Sequence, residues 1–277
     1  MRLTIIFFLI SSLAFGQKLY QKKTFEDGKM NSEGWIENNQ KTDYWKFYHE
    51  NGQLSKEGHY RYNKKEGFWK FYNAKGQLVK EGHFKNGLKT EFWKRFKNNT
   101  CIEEGHYKKD KRIEHWKFYY NNGELKEEGF FSNGLKTDFW RSFHSNGKVS
   151  KEGHFKNGKE HGYWKFHHTN GQLQKEGEYN LGNTINYWQF YSANGKKTSE
   201  GHFVDGKKQN WWLFYDENEK INHKCQLSYN QKNGYCLMYK NEKLTSAVKY
   251  SNGERIKEWT DLKSFKKENK LSDLKSQ

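Results

Sequence analysis

A Glu-Gly pair recurs along this chain with its glycine at Gly34, Gly58, Gly82, Gly105, Gly129, Gly153, Gly177 and Gly201, in steps of 24 residues with a single step of 23. A tryptophan keeps the same step through Trp45, Trp69, Trp93, Trp116, Trp140, Trp164, Trp188 and Trp212. Self-similarity at a fixed period marks a repeat architecture, in which each unit is one supersecondary element stabilised chiefly by its neighbours. That excludes an ordinary globular core before any propensity is weighed.

Each unit contains two turn marks, Asn157-Gly158 and Asn170-Gly171 in the copy at 152–175, which separate two short runs of alternating character. Asn-Gly between such runs signals a hairpin, because both residues accept the positive φ of a type I′ turn. The chain therefore reads as all-β: an elongated, single-layer antiparallel meander of stacked 24-residue hairpins. The 23-residue step falls at Lys97-Asn98-Asn99-Thr100, where the usual turn and its glycine are shortened.

If both Asn-Gly pairs are two-residue loops, the register follows. Alternation puts Val149, Phe155, Trp164, Phe166 and Leu173 with Gly153 and Gly177 on one face, and Glu152, His154, Tyr163, Lys165 and His167 on the other. Trp164 then stands opposite Gly177 and diagonal to Gly153, and the missing side chains leave room for the indole to lie across the backbone. Glu152 falls beside Tyr163 and diagonal to Lys165, giving the polar face a ladder of opposite charges. Eight tryptophans on one open face would form an apolar patch far larger than a monomer normally shows. Either that face covers itself or something docks there.

Residues 1–16 stand outside the repeat. Arg2, an apolar run from Leu3 to Ile10, and Ala14-Phe15-Gly16 have the layout of a cleavable export signal, with cleavage expected after Gly16. Residues 17–215 form the array, with a partial opening repeat at 18–32; 216–260 carry degenerate terminal repeats. In the tail, 261–277, Leu262, Phe265, Leu271 and Leu274 are spaced for a short capping helix, with a frayed end as the other reading. Hydrophobic content of 33% would suit a disordered chain, but 18% of residues are aromatic and they keep a strict period, and the lack of proline suits an unbroken ladder. Cys225 and Cys236 replace the glycine and tryptophan of a degenerate repeat, which places them on adjacent strands of one face. A disulfide between them fits that register, two small replacements being the alternative. Cys101 is left over.

The recurring text, as in Gly67-Phe68-Trp69-Lys70-Phe71-Tyr72 followed by Asn-Gly and Glu-Gly-x-Phe-x-Asn-Gly, resembles the bacterial variant of MORN repeats over roughly residues 25–215. The resemblance implies stacked hairpins serving as a scaffold or recognition module, in some members proposed to meet membrane lipids. Many bacterial relatives carry an antitoxin label, which an export signal does not suit. The glycine two before the tryptophan departs from the family pattern at Asp43, Glu91, Glu114 and Asn186.

No nucleophile elbow, phosphate-cradling loop, Cys-x-x-Cys pair or triad appears, so an enzyme is not expected, nor a cofactor. His59, His83, His106, His154 and His202 repeat about two strands apart, near 9–10 Å, too far to share a metal, though His161 opposite His154 makes one opportunistic site conceivable. Charge is the stronger lead: formal net charge is +17. Lys46, Lys70, Lys94, Lys117, Arg141 and Lys165 repeat on the polar face beside Tyr48, Tyr72 and Tyr119. Such a row suits a protein partner or an anionic envelope surface, lipid headgroups or polysaccharide; keeping an edge-rich sheet soluble is the plainer use of the same lysines. Export makes nucleic acid a poor target. The expected function is an exported, non-enzymatic binding scaffold, in the periplasm, at the outer surface or secreted. The alternatives are a carbohydrate-binding module using aromatic rows and an antitoxin-like inhibitor.

Overall fold

The structure, a computed structural model, describes residues 17–274; the expected export signal lies outside the described residues. The chain divides into two compact units, one ending at Lys111 and the other beginning at Arg112. The first contains β1 (Leu19–Thr24), β2 (Met30–Glu37), β3 (Gln40–Tyr48), β4 (Leu54–Arg61), β5 (Lys64–Tyr72), β6 (Leu78–Lys85), β7 (Leu88–Lys97) and β8 (Thr100–Lys108). The second is made of β9 (Lys111–Tyr119), β10 (Leu125–Ser132), β11 (Leu135–Phe143), β12 (Val149–Lys156), β13 (Lys159–His167), β14 (Leu173–Asn180), β15 (Asn183–Tyr191), β16 (Lys197–Val204), β17 (Lys207–Tyr215), β18 (Ile221–Ser228), β19 (Gln231–Lys240), β20 (Lys243–Ser251) and β21 (Glu254–Trp259), then helix α1 (Leu262–Glu268). Within each unit the strands pair antiparallel in chain order, as in β3 with β4 and β12 with β13. Each unit is the all-β meander that the repeat implies.

The two turns of a repeat differ, which corrects the sequence reading. Asn157 (φ 52°) and Gly158 (φ 79°) form a two-residue loop between paired Lys156 and Lys159. At the other end the loop is three residues, Thr169-Asn170-Gly171. His168 N–H donates to Gln172 O (2.8 Å), Gly171 N–H donates to His168 O (2.8 Å), and only Gly171 is left-handed (φ 90°). A register shift between Phe166 and His167 absorbs the extra residue. Trp164 therefore still faces Gly177, as expected, although the loop is longer than expected. In the shortened repeat, Asn98 and Asn99 (φ 49° and 62°) make a two-residue loop between paired Lys97 and Thr100.

A second correction concerns the strand pair ahead of each tryptophan. Between β12 and β13 the register passes from His154↔His161 to Glu152↔Lys165, so the tryptophan strand carries two extra residues, Gly162 and Tyr163. Glu152 therefore pairs with Lys165 instead of Tyr163. Two residues preserve the alternation, which is why the faces assigned to these side chains survive. The bulge needs a left-handed residue two before the tryptophan, supplied by Gly67 and Gly162 and also by Asp43, Glu91, Asp138, Asn186 and Asn210. The departures from the family pattern thus keep the same backbone.

The bulge also explains the indole. It frees a backbone carbonyl, and Trp164 Nε1 donates to it at His154 O (3.1 Å); Trp69 does so to His59 O (3.0 Å) and Trp140 to Phe130 O (3.0 Å). The ring lies flat over the preceding glycine: a Cβ on Gly153 would overlap Trp164, and one on Gly82 would overlap Trp93. Gly177 lodges Trp188 instead of Trp164. Phe155 meets Trp164 edge-on at 5.1 Å and Phe166 stacks on it at 5.9 Å, arrangements that aromatic quadrupoles favour. All eight repeat tryptophans are 0–3% exposed. The aromatic face covers itself.

At the end of the second unit both faces are apolar. Cys225 and Cys236, directly opposite, are joined by a disulfide and pack with Trp212, Leu227 and Val248. On the opposite face Tyr235, Leu237, Ala247 and Trp259 receive Phe265 of α1. Asp261 caps that helix, its carboxylate accepting from Ser264 N–H (2.8 Å). The helix covers a sheet face instead of the edge strand.

Candidate interaction surfaces

The polar face is built from three positions per repeat. The first is the residue before the tryptophan: Tyr44, Phe68, Phe92, Phe139, Tyr163 and Tyr187, all exposed. The repeat histidines pack against most of them, His59 edge-on to Tyr44 at 5.0 Å, His83 tilted against Phe68 at 5.0 Å and His202 edge-on to Tyr187 at 4.9 Å. His154 does face His161, yet among the described residues no three His, Cys, Asp or Glu side chains gather as a metal site.

The second position holds the cations expected from the sequence, and each meets carboxylates across the strands. Lys46 lies between Glu33 and Glu57, Lys70 between Glu57 and Glu81, Lys94 between Glu81 and Glu104, and Lys165 between Glu152 and Glu176. Lys117 faces Glu128, and Arg141 Nε donates to Glu152 at 3.0 Å. This row is charge-compensated rather than a bare cationic stripe.

The third position is the tyrosine three past the tryptophan, which the structure ties down. Tyr48 OH donates to Glu33 (2.7 Å) and Tyr72 OH to Glu57 (2.7 Å); Tyr119 holds the equivalent place, opposite Leu125. The bond from Tyr48 keeps the Glu33 carboxyl below its usual range. Burial and then the same bond push the Tyr48 hydroxyl up. Tyr163 and Tyr44 are raised to about 12 by burial, then by Glu176 and Glu57.

The aromatic face carries cations that the sequence reading left out. Lys41, Lys65, Lys89, Arg112, Lys136 and Lys208 lie four before a tryptophan, and Lys56, Lys80, Lys151 and Lys175 two before a glycine. Their heads sit on the rings: Lys136 Nζ is 3.7 Å from the Trp140 centroid, Lys208 4.0 Å from Trp212 and Lys41 4.7 Å from Trp45. Their parity, equal to that of the tryptophan and glycine, was the available signal. Elsewhere, a cavity of about 300 Å³ lies between α1 and β19–β21, lined by Leu237, Leu244, Trp259 and Phe265.

Two-faced antiparallel meanders with a 24-residue period define a repeat scaffold, one face closed over its own rings and the other presenting side chains. The chain carries MORN-variant repeats: the family model described as MORN repeat variant matches residues 44–62, 65–86, 115–133, 140–157 and 160–181. No curated protein matches the sequence. Among solved structures, S. aureus TarM is 18% identical over 34% of this chain and 19% of that one, with a TM-score of 0.25. The Photorhabdus luminescens Tc holotoxin pore is 12% identical over 83% of this chain and 14% of that one, with a TM-score of 0.20. The chain thus spans a small part of either, and likenesses this slight carry no argument.

Proposed function

We propose that this protein is a non-enzymatic binding scaffold that acts outside the cytoplasm and docks a protein partner on its polar face. The observation that carries this reading is the row of exposed rings, Phe139, Tyr163 and Tyr187 in the second unit, bordered by cations that each face a carboxylate. Exposed aromatics with mixed, matched charge suit a protein interface, whose centres are rich in Tyr, Phe and Arg. A uniformly anionic surface has no use for a glutamate beside every lysine. Export is supported by the layout of residues 1–16 and by the Cys225–Cys236 pair, since disulfides persist in oxidising compartments.

The test is affinity capture from an envelope fraction at low and high salt, with wild type and with Phe139→Ser/Tyr163→Ser/Tyr187→Ser. One stoichiometric protein retained at high salt and lost from the triple variant supports the reading; equal capture by both overturns it. A glycan stacked on the same rings is the second reading, favoured by their exposure. Salt-resistant retention on a neutral glycan column, abolished by the same variant, would replace the first reading with the second.

A further inference from the structure

The aromatic face of the first unit holds four lysines in an unusual setting. Lys41 Nζ is 4.8 Å and Lys56 Nζ 4.6 Å from the centroid of one ring, Phe47. One repeat on, Lys65 Nζ and Lys80 Nζ are 4.9 and 4.7 Å from the Phe71 centroid. Each phenylalanine thus carries two ammonium groups. Lys65 is further enclosed by Trp69 (5.1 Å) and Phe84 (4.8 Å).

On the polar face every comparable lysine meets a glutamate. Here, among the described residues, no carboxylate forms an ion pair with Lys41, Lys56, Lys65 or Lys80. Burial, then repulsion from Lys56, Lys80 and Lys89, lowers Lys65 to about 8. Lys80 is lowered by burial and Lys89, and Lys41 by burial, Lys23 and Lys56. Like charges held together in partly desolvated surroundings raise the energy of the empty surface, and an anion laid across them relieves it.

The spacing narrows the anion. Equivalent lysines, Lys41 and Lys65 or Lys56 and Lys80, lie two strands apart, about 9–10 Å. A nucleic-acid strand carries a phosphate about every 3.4 Å, far denser than these lysines, and the tryptophans are too buried to stack bases. A chain of pyranose rings with a single carboxylate in each disaccharide carries one charge for every two rings, a far sparser spacing than that of phosphates and of the same order as the lysine interval. We infer that the surface over Phe47 and Phe71, set with Lys41, Lys56, Lys65 and Lys80, docks a linear acidic polysaccharide bearing one carboxylate per disaccharide and running across the strands. It belongs to the aromatic face of the first unit, whereas the proposed protein surface is on the polar face of the second, and it does not depend on that reading.

The test is calorimetric titration of the full chain with a hyaluronan octasaccharide, beside inorganic polyphosphate, anionic phosphatidylglycerol vesicles and neutral dextran. The octasaccharide binds, and more weakly as salt rises. Lys56→Gln/Lys65→Gln/Lys80→Gln weakens it by about ten-fold or more, while Lys46→Gln/Lys70→Gln/Lys94→Gln, which removes the same charge from the opposite face, changes it less than about two-fold. Equal loss in both triples, no binding of the octasaccharide, or tighter binding of polyphosphate, vesicles or dextran overturns the inference. Circular dichroism checks the fold. Should the first triple unfold, the wild-type lysine titration decides: the Lys65 ammonium resonance titrates at higher pH with octasaccharide bound, and an unmoved titration refutes the site.

Discussion

Gly153→Ala isolates the contact on which the repeat is built. Gly153 lies outside the left-handed region, so alanine meets no backbone penalty there; the obstacle is the Trp164 ring, which occupies the place of the new Cβ. If the ring shifts within its setting, overpacking costs about 1–3 kcal/mol. If it is expelled, the loss approaches that of a buried Trp→Ala, about 3–5 kcal/mol, including the indole bond to His154 O. An intermediate value of about 2–4 kcal/mol is expected. Neighbouring repeats hold independent contacts, so the effect should be local: urea denaturation followed by circular dichroism shows a lower first transition, and hydrogen exchange accelerates in β12 and β13. The decisive comparison is made in Trp164→Ala. With the indole gone, Gly153→Ala should cost nothing, or stabilise slightly by stiffening a strand glycine, by about 0.5–1 kcal/mol. An undiminished cost in that background would refute the steric account and, with it, the reason given for the joint recurrence of glycine and tryptophan.

Reducing the Cys225–Cys236 bond, which closes a separation of 11 residues, should lower the stability of β18–β21 by about 2–3 kcal/mol, seen as earlier loss of exchange protection there under reductant. Glu91→Gly should stabilise the first unit by about 0.5–1 kcal/mol in thermal melts, because Glu91 sits at φ 57°, where glycine is unstrained. Its His83 contact, 3.5 Å and mostly exposed, offsets little. Stability should also depend on pH in the alkaline range. Lys65 is lowered in the fold to about 8 from 10.5, so between those values the unfolded chain binds more protons and stability rises with pH. Tyr163 and Tyr187 are raised from 10.0 to about 12, so above about pH 10 the folded chain binds more protons and stability falls. Unfolding midpoints should therefore peak near pH 10, and Lys65→Gln should flatten the rising limb; a monotonic fall from pH 8 in the wild type would contradict the lowered Lys65, and a continued rise above about pH 11 the raised tyrosines.

The period, the strand class and the faces were legible because each rests on alternation, which single-residue detail does not disturb. The register opposite Gly177 came out right although its turn was misread, since the three-residue loop at Thr169-Asn170-Gly171 and the following bulge cancel. The bulge at Gly162-Tyr163 could not be read from alternation, because two added residues leave parity unchanged while moving Glu152 from Tyr163 to Lys165. Its trace was present as the residue two before each tryptophan. Asp43, Glu91 and Asn186 look like lost glycines in the sequence, and in the fold they are left-handed residues doing the same work. The ring-capping lysines were missed for another reason: hydropathy assigns lysine to water, whereas its stem covers apolar surface and only its head needs solvent.

That last point bears on how one layer of sheet remains stable at all. With no second layer to bury the indoles, their cover consists of Phe and Tyr rings and of lysine stems reaching over from the same strands. Covering rings with lysines closes the apolar face without another domain, but it crowds the charges, as the lowered Lys65 shows. Stability and anion binding are then coupled through the same side chains. A polyanion that binds only the folded first unit adds about 2.7 kcal/mol at a hundred-fold excess over its Kd. Relief of the crowded lysines should appear in that gain as a larger stabilisation at pH 7, where Lys65 is charged, than at pH 9.5. Equal thermal shifts at the two pH values would separate the two roles and leave these lysines as a cover alone.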